Sequence, residues 1–406
     1  MLGSLIALFA SGRPARARGI HVVASAANSD ARVSHTLQQL GLKVLSANSK
    51  RPADDLLQNT RLKDLPDFRG PARLYKNALK ASKTLPNSNV KGNAHKRAVK
   101  NAARRIDALC SGLSVPLREQ LKEFRTHLSH LTPFEAALAE LTLSSFVSNG
   151  GLSLEKVISE YETMRRSVVR SGKEAVALLS ETSGPKEANE LLDKGIEAVE
   201  ETFEEGSEAL LQLISTTQQL RRLPSVTPDE PLAVLVGMPN VGKSSIVTAI
   251  STGTPEINSY PFTTRGLKLG HIDVNSETRF QVMDTPGVLA RANDERNPME
   301  GLTLAAVQLL PSAIIYIMDL SGTCGAQSAP ELQLAVREQI KTQCAGRPWI
   351  DVRSKADLPL AEDLVDSCVP EGTLSVSVHE EKNVDELSRR LTAMIQQLQH
   401  GEFEIT

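Results

Sequence analysis

Aromatic side chains are scarce in this chain: one Trp and four Tyr among 406 residues. Cysteine is scarcer than a disulfide framework needs. Cys110, Cys324, Cys344 and Cys368 are scattered, none forms a CxxC pair, and no histidine cluster lies beside them. That argues against a zinc site and for reduced thiols in a reducing compartment. No apolar run reaches the roughly 18 residues of a membrane span, so no transmembrane segment is expected. Net charge is only -2, so nothing global points to a polyanionic partner. Acid is missing from the start of the chain, where the first carboxylate is Asp30. Ahead of it stand Arg13, Arg16 and Arg18 among Ser, Ala and Gly, after a short apolar run at residues 5–10. Arginine and serine without acid match the composition of an organellar transit peptide, a plastid slightly ahead of a mitochondrion. The bland alternative is a disordered tail with no address. An apolar run before the charges is the wrong order for a simple secretory signal, though it suits the first half of a bipartite signal.

Residues 1–60 are therefore read as targeting sequence and linker. Acid is also absent between Asp67 and Asp107, where eleven Lys or Arg and His95 fall between Arg69 and Arg105. Such a run attracts polyanions by releasing their counterions. Only Tyr75 could stack on a base there, so contact to the phosphates of a nucleic acid and not to base edges is expected, with no DNA specificity. A solvated basic face is the plain alternative.

From about Val115 to Leu220 apolar residues recur at helical spacing. Leu117, Leu121, Phe124, Leu128 and Leu131 make one stripe. Leu154, Val157, Ile158, Tyr161 and Met164 make a second, capped by Ser153. Ile196, Val199, Phe203, Leu210, Leu213 and Ile214 make a third, with a break expected near Gly206. An all-α helical bundle over 61–225, with the basic segment at its start, is the reading. The acidic face of the third helix (Glu197, Glu200, Glu201, Glu204, Glu205, Glu208) reads as solvated.

A turn-rich linker at residues 223–229 then gives way to strands alternating with helices, the pattern of a mostly parallel α/β sheet over 226–406. Six strands are expected: Leu232–Val236, Leu267–Val274, Arg279–Met283, Ala313–Asp319, Trp349–Val352 and Thr373–Val378. A last helix should begin at Asn383, with Glu386 at the capping-box position.

Gly237-Met238-Pro239-Asn240-Val241-Gly242-Lys243-Ser244 fits GxxxxGK[ST] between a strand and a helix. The glycines Gly237 and Gly242 permit a tight turn whose amides, with those of Val241 and Ser245, can wrap phosphate oxygens. Lys243 reaches the outer phosphates and the Ser244 hydroxyl can ligate Mg²⁺. Asp284-Thr285-Pro286-Gly287 follows a strand, as a water-mediated Mg²⁺ ligand and a γ-phosphate N–H donor would. Thr263 and Thr264 lie in a loop after the first helix, and Thr264 is favoured as the threonine that completes the Mg²⁺ shell. Guanine is expected from Ser354-Lys355-Ala356-Asp357. The Asp357 carboxylate can accept from N1 and the exocyclic amine, a pair that adenine cannot donate, and Lys355 can lie along the base plane. GTPases usually carry Asn where this chain has Ser354, which shortens that contact. Ser377 and Val378 follow the last strand, where a backbone N–H would meet guanine O6. The whole therefore reads as a P-loop GTPase domain behind a helical bundle, with GTP/GDP and Mg²⁺ as cofactors.

The chain also resembles the nucleolar GTP-binding protein 1 family of Obg-type (TRAFAC) GTPases. The resemblance rests on LRRLPSVTPDEPLAVLVGMPNVGKSS, SYPFTTRGLKLGHID, QVMDTPGVLARANDERNPMEG and DLSGTCG, with THLSHLTPFEAAL in the helical region. It implies GTP-dependent work on a large ribosomal subunit precursor, with ribosomal RNA contact through 69–105. The chain stops soon after the last expected helix. With the transit-like start, that suggests a short organellar relative, with nucleolus or cytoplasm as alternatives. Position 288 is Val, so the glutamine that orients water in many GTPases is absent, and unaided turnover should be slow. Asn240 occupies the position that binds K⁺ in related GTPases, so the catalytic set is Asn240, Lys243, Thr264 and Gly287. Two alternatives stand beside this reading: a nucleotide-gated RNA-binding module with negligible hydrolysis, and an ATP-using relative.

Overall fold

A computed structural model of the chain describes residues 61–88, 92–223, 232–253, 256–258, 267–273, 279–289, 297–344, 346–362, 364 and 366–399. Residues 1–60, read as targeting sequence, lie outside this set.

Five helices come first: α1 (Pro71–Lys83), α2 (Ala94–Ser129), α3 (Pro133–Ser148), α4 (Leu154–Leu178) and α5 (Pro185–Arg221). Each begins where the sequence supplies a start. Asn93, Thr132 and Ser153 accept from backbone N–H groups of the first turns of α2, α3 and α4, and Pro opens α1, α3 and α5. α4 lies along α5, α2 packs on both, and α1 covers α2. The expected stripes fill the core between them: Leu117, Leu121 and Phe124, then Val157, Tyr161 and Met164, then Val199, Phe203, Leu210 and Leu213 are all buried. Tyr161 donates its hydroxyl to the Leu117 carbonyl at 3.0 Å, so its burial leaves no polar orphan.

Three local expectations need correcting. α2 starts well before Val115 and runs through Pro116, so much of the basic run shares a helix with the first core stripe. α5 does not break at Gly206. A Cβ there would lie 2.5 Å from Met164 Cγ, so this glycine marks the close crossing of α4 and not a helix end. Asn383 does not cap the last helix as expected. It takes left-handed backbone (φ 59) and donates its amide to the Ser375 carbonyl at 2.7 Å, while Glu386 pairs with Arg389 and Arg390.

Among the described residues seven strands form one sheet: β1 (Leu232–Val236), β2 (Glu256–Asn258), β3 (Leu267–Asp273), β4 (Arg279–Asp284), β5 (Ser312–Met318), β6 (Trp349–Arg353) and β7 (Leu374–Ser375). The order is β2-β3-β4-β1-β5-β6-β7. The six expected strands are present, and Glu256–Asn258 adds a short one at the edge. β4, β1, β5, β6 and β7 run parallel, while β3 is antiparallel to β4 and β2 to β3. β1 is central and every residue in it is buried, as expected of a strand covered on both faces. Around the sheet lie α6 (Lys243–Ile250), α7 (Pro298–Leu309), α8 (Pro330–Gln343) and α9 (Val384–Gln399).

α7 touches β1 and also α3 of the helical domain. Residues 300–307 are buried without interruption, which a surface helix would not show. α3 is likewise buried over 137–139 and 141–143. At the crossing, a Cβ on Gly301 would lie 3.0 Å from Leu141 Cδ2.

Candidate nucleotide-binding site

Parallel strands present their carboxyl ends on one edge, and ligands of open α/β sheets gather there. β1 ends into Gly237, β4 at Asp284, β5 ahead of Asp319, β6 ahead of Ser354 and β7 just before Ser377. Sequence-distant motifs thus meet because the strands carrying them are parallel.

At Gly237 a Cβ would sit 2.3 Å from the Ile317 carbonyl oxygen, so only glycine lets the chain leave β1 so close to β5. Asn240 (φ 65) and Gly242 (φ 94) take left-handed backbone, the kind of turn that curls amides around an anion. α6 then begins at Lys243, with its N-terminus on this loop. Lys243 Nζ donates to the carbonyls of Gly237 (3.1 Å) and Met238 (2.8 Å). Burial pushes its pKa down to about 8, against the opposing pull of Asp284 and Cys324. Ser245 is exposed in the first turn beside it.

Ser244 Oγ donates to Asp284 Oδ2 at 2.5 Å. Asp284 is buried, and its other oxygen, Oδ1, has no partner among the described residues. Burial raises this carboxyl, while the Ser244 hydroxyl and the ammoniums of Lys243 and Lys268 pull it back. A hydroxyl and a carboxylate oxygen side by side, with one acceptor unmet, fit a hard divalent cation such as Mg²⁺.

The segment after Asp284 lies on the P-loop. A Cβ at Gly287 would fall 2.5 Å from Pro239 N, and Val288 donates its N–H to the Gly237 carbonyl at 3.2 Å. The Val288 side chain is fully buried. Glu300, buried at the start of α7, accepts from Leu289 N–H (2.9 Å) and Asn297 N–H (3.0 Å), so one carboxylate ties this segment to α7. Thr263 and Thr264 lie outside the described residues.

On the base side, Ser354 is nearly enclosed and its hydroxyl lies 2.6 Å from the Val241 carbonyl and 3.0 Å from that of Met318. It braces the P-loop instead of reaching outward, a sharper departure than short reach alone. Lys355 takes left-handed backbone (φ 51) and its Nζ lies 2.6 Å from Asp319 Oδ2. Asp357 is exposed and accepts from the buried Ser377 hydroxyl at 2.6 Å, which holds its carboxyl below the usual range and keeps it ionised. The Ser377 N–H is engaged by the Lys382 carbonyl at 3.1 Å, and Val378 after it is half-buried against the core. Asp319, Thr323, Cys324, Ser328 and Glu300 join this edge without having been singled out. Four of them lie in or just after DLSGTCG, the stretch that carried the resemblance.

Most of the basic run is on α1 and α2. Arg69, Arg73, Lys76, Lys80, Lys83, Lys96, Arg97 and Lys100 are exposed, and none pairs with a described acid; Arg104 and Arg105 are half-buried. Lys91 lies outside the described residues. Among the described residues no helix is long and apolar enough to cross a membrane.

A central parallel sheet with a P-loop after its first strand, an Asp-Thr-Pro-Gly turn and a Lys-x-Asp turn at the same edge defines a P-loop GTPase domain, here carrying a helical domain ahead of it. Family models agree for both domains. The model described as NOG1 N-terminal helical domain matches residues 71–227, and that described as 50S ribosome-binding GTPase matches residues 232–353. The chain is 31% identical over 261 residues to nucleolar GTP-binding protein 1 of Eremothecium gossypii, covering 64% of this chain and 39% of that protein. With the protein of that name from Kluyveromyces lactis it shares 39% over 155 residues, 38% of this chain and 24% of the relative. With the Drosophila melanogaster protein it shares 30% over 227 residues, 56% of this chain and 34% of the relative. The chain is thus similar to nucleolar GTP-binding protein 1 over its helical domain and its GTPase domain. It spans between about a quarter and two-fifths of the length of these relatives.

Proposed function

We propose that this protein is a GTP-hydrolysing switch that acts in large ribosomal subunit assembly. The observation that carries the nucleotide reading is the meeting of three groups at one sheet edge. These are Lys243 in its glycine-flanked loop, the Ser244–Asp284 pair, and the Asp357 carboxylate set by Ser377. In this reading the amides of Gly237 to Ser245 hold the phosphates and Lys243 exchanges its loop carbonyls for phosphate oxygens. Ser244 and Asp284 would hold Mg²⁺, with Thr264, and Thr263 next to it in sequence, as the proposed further contributors. Mg²⁺ supplies charge neutralisation on the β- and γ-phosphate oxygens. Gly287 offers its N–H to the γ-phosphate, Asp357 accepts from guanine, Lys355 lies along the base, and a backbone N–H at Ser377–Val378 meets O6.

Hydrolysis is slow unless stimulated, since Val288 is buried where a water-orienting side chain would stand. Asn240, exposed at the mouth of the P-loop, is the proposed K⁺ ligand that supplies some of that stimulation. Equal rates in KCl and NaCl would remove the K⁺ role. The ribosome reading is supported by the family's names and by the basic surface of α1 and α2, which would bind ribosomal RNA through phosphates. The relatives' names place them in the nucleolus. An organellar address gains nothing from them and rests on residues 1–60 alone, so a fluorescent fusion of that segment decides between the two.

The test has two arms. Competition against labelled GDP should show GTP displacing it and ATP not; equal displacement would move the protein to the ATP-using class. Single-turnover hydrolysis should accelerate when large-subunit particles are added. No acceleration, with GTP still bound, would leave a nucleotide-gated binding module. Neutralising Lys96, Arg97, Lys100, Arg104 and Arg105 should flatten the salt dependence of RNA binding and spare GTP binding.

A further inference from the structure

The loop between β5 and α8 closes over the outer side of the P-loop. Ser328 Oγ donates to the Pro239 carbonyl at 3.1 Å, and Cys324 Sγ lies 3.2 Å from the Asn240 carbonyl. With Ser354 beside the Val241 carbonyl, side chains from the base side approach three successive P-loop carbonyls. At the centre of this loop sits Asp319, with no exposed surface at all.

An ionised carboxylate so placed needs donors on both oxygens. Oδ1 accepts from the Ser321 N–H (2.9 Å) and the Ser321 hydroxyl (2.6 Å). Oδ2 accepts from the Thr323 hydroxyl (2.9 Å), the Cys324 thiol (3.0 Å) and Lys355 Nζ (2.6 Å). Burial alone would raise this carboxyl, and the donors from Cys324, Lys355 and Ser321 outweigh it and hold it far below the usual range. The one cation in that set is the lysine of the base motif.

Lysine is a flexible four-carbon stem ending in a point charge. To form one wall of a flat base site, the stem must be held at both ends. Its backbone end is set in left-handed conformation at φ 51, and its ammonium end is set by Asp319. The stem itself stays partly exposed, with 33% of the side chain accessible. Most GTPases would add an asparagine before this lysine, but Ser354 has turned its hydroxyl to the P-loop.

We propose that Asp319 is a positioning residue for guanine selection, fixing the Lys355 stem as a wall of the base site. The inference rests on the GTP reading above. Asp319 is fully enclosed and faces the base site only through its ion pair, so its effect passes through Lys355. Because the P-loop holds the phosphates separately, loss of Asp319 should cost base selectivity and spare phosphate affinity.

The experiment uses the full chain and three probes: GDP, ADP and inorganic pyrophosphate. Wild type should prefer GDP over ADP; equal affinity would overturn the guanine reading along with this one. In Asp319→Asn the GDP affinity should fall about tenfold, with ADP and pyrophosphate within about twofold of wild type. Lys355→Met should show the same pattern. The double variant should be no worse than the weaker single, because both remove one interaction. An unchanged GDP-to-ADP ratio in Asp319→Asn, with wild type selective, would overturn the proposal. So would a parallel loss for all three probes, which marks a general structural role. Should Asp319→Asn lack a cooperative thermal transition, Lys355→Met and Thr323→Val decide instead. Both should lower the ratio, Thr323→Val by less, and a ratio unchanged in both would sink the idea.

Discussion

The hydroxyl of Ser354 lies 2.6 Å from the carbonyl oxygen of Val241, 113 residues away in sequence. One short side chain thereby ties the base loop to the phosphate loop. Its single proton serves either Val241 or Met318, and no proton remains for a nucleotide. Ser354→Ala should leave the Val241 carbonyl without its donor. A lost buried hydrogen bond of about 1 kcal/mol corresponds to roughly fivefold weaker GDP binding by titration calorimetry. Ser354→Asn has a longer arm that can brace the loop and still reach outward, so it should widen the preference for GDP over ADP.

The Ser244–Asp284 pair makes a second prediction. Asp284 Oδ1 is buried without a partner among the described residues, and a bound cation or its water would supply one. GDP affinity of wild type should rise with added Mg²⁺. In Asp284→Asn and in Ser244→Ala that rise should shrink at least tenfold, the effect of losing about 1.4 kcal/mol. A Mg²⁺ response equal to wild type in both variants would remove the pair from the metal site.

Glu135 in the helical domain predicts a pH dependence of stability. It is buried at the start of α3, where it accepts the Leu62 N–H at 3.0 Å and leaves Oε1 without a partner among the described residues. Burial pushes its pKa up from 4.5 to about 7, against the Leu62 hydrogen bond and the Arg61 charge. A carboxyl whose folded pKa is raised binds its proton more tightly when folded. Its contribution to stability is therefore full below 4.5 and is lost as pH rises through about 7. Melting temperatures measured across that window should fall with rising pH. In Glu135→Gln the slope should flatten.

The crossing of α3 and α7 is tight enough to test by volume. At Gly301 an added Cβ would meet the end of the Leu141 side chain, which can shift slightly, so Gly301→Ala should be tolerated. Gly301→Leu should lower stability by about 1–3 kcal/mol through overpacking. Leu141→Ala should lower it by about 2–5 kcal/mol through the cavity left behind. Chemical denaturation would read both.

What could be read before the structure was mostly what depends on local order. The P-loop announces itself because glycine, lysine and serine at that spacing have one common use, and the flanking strand and helix follow from periodicity. Ser153 could be assigned as a cap because capping is an affair of neighbours. Asn383 looked the same locally, but its backbone is left-handed and its amide nitrogen donates back to the Ser375 carbonyl, which orients the side chain toward β7. Gly206 was harder. Glycine within a helix reads as a break, and only the nearness of Met164 shows why it is there. The role of Asp319 was hidden for a similar reason. It lies 36 residues before Lys355 in sequence, and only adjacent strand ends bring them together. The threonines of residues 259–266 lie outside what the structure describes, so their assignment still rests on sequence.

α7 has no free face. β1 takes one side and α3 of the preceding domain takes another, so residues 300–307 are enclosed throughout. The two domains are therefore poor candidates for separate life. A fragment cut at the linker would strip α7 of its outer cover and leave α3 with an apolar flank in water. Each piece would be prone to aggregate, and neither could be exchanged with that of another GTPase unless its matching helix came with it.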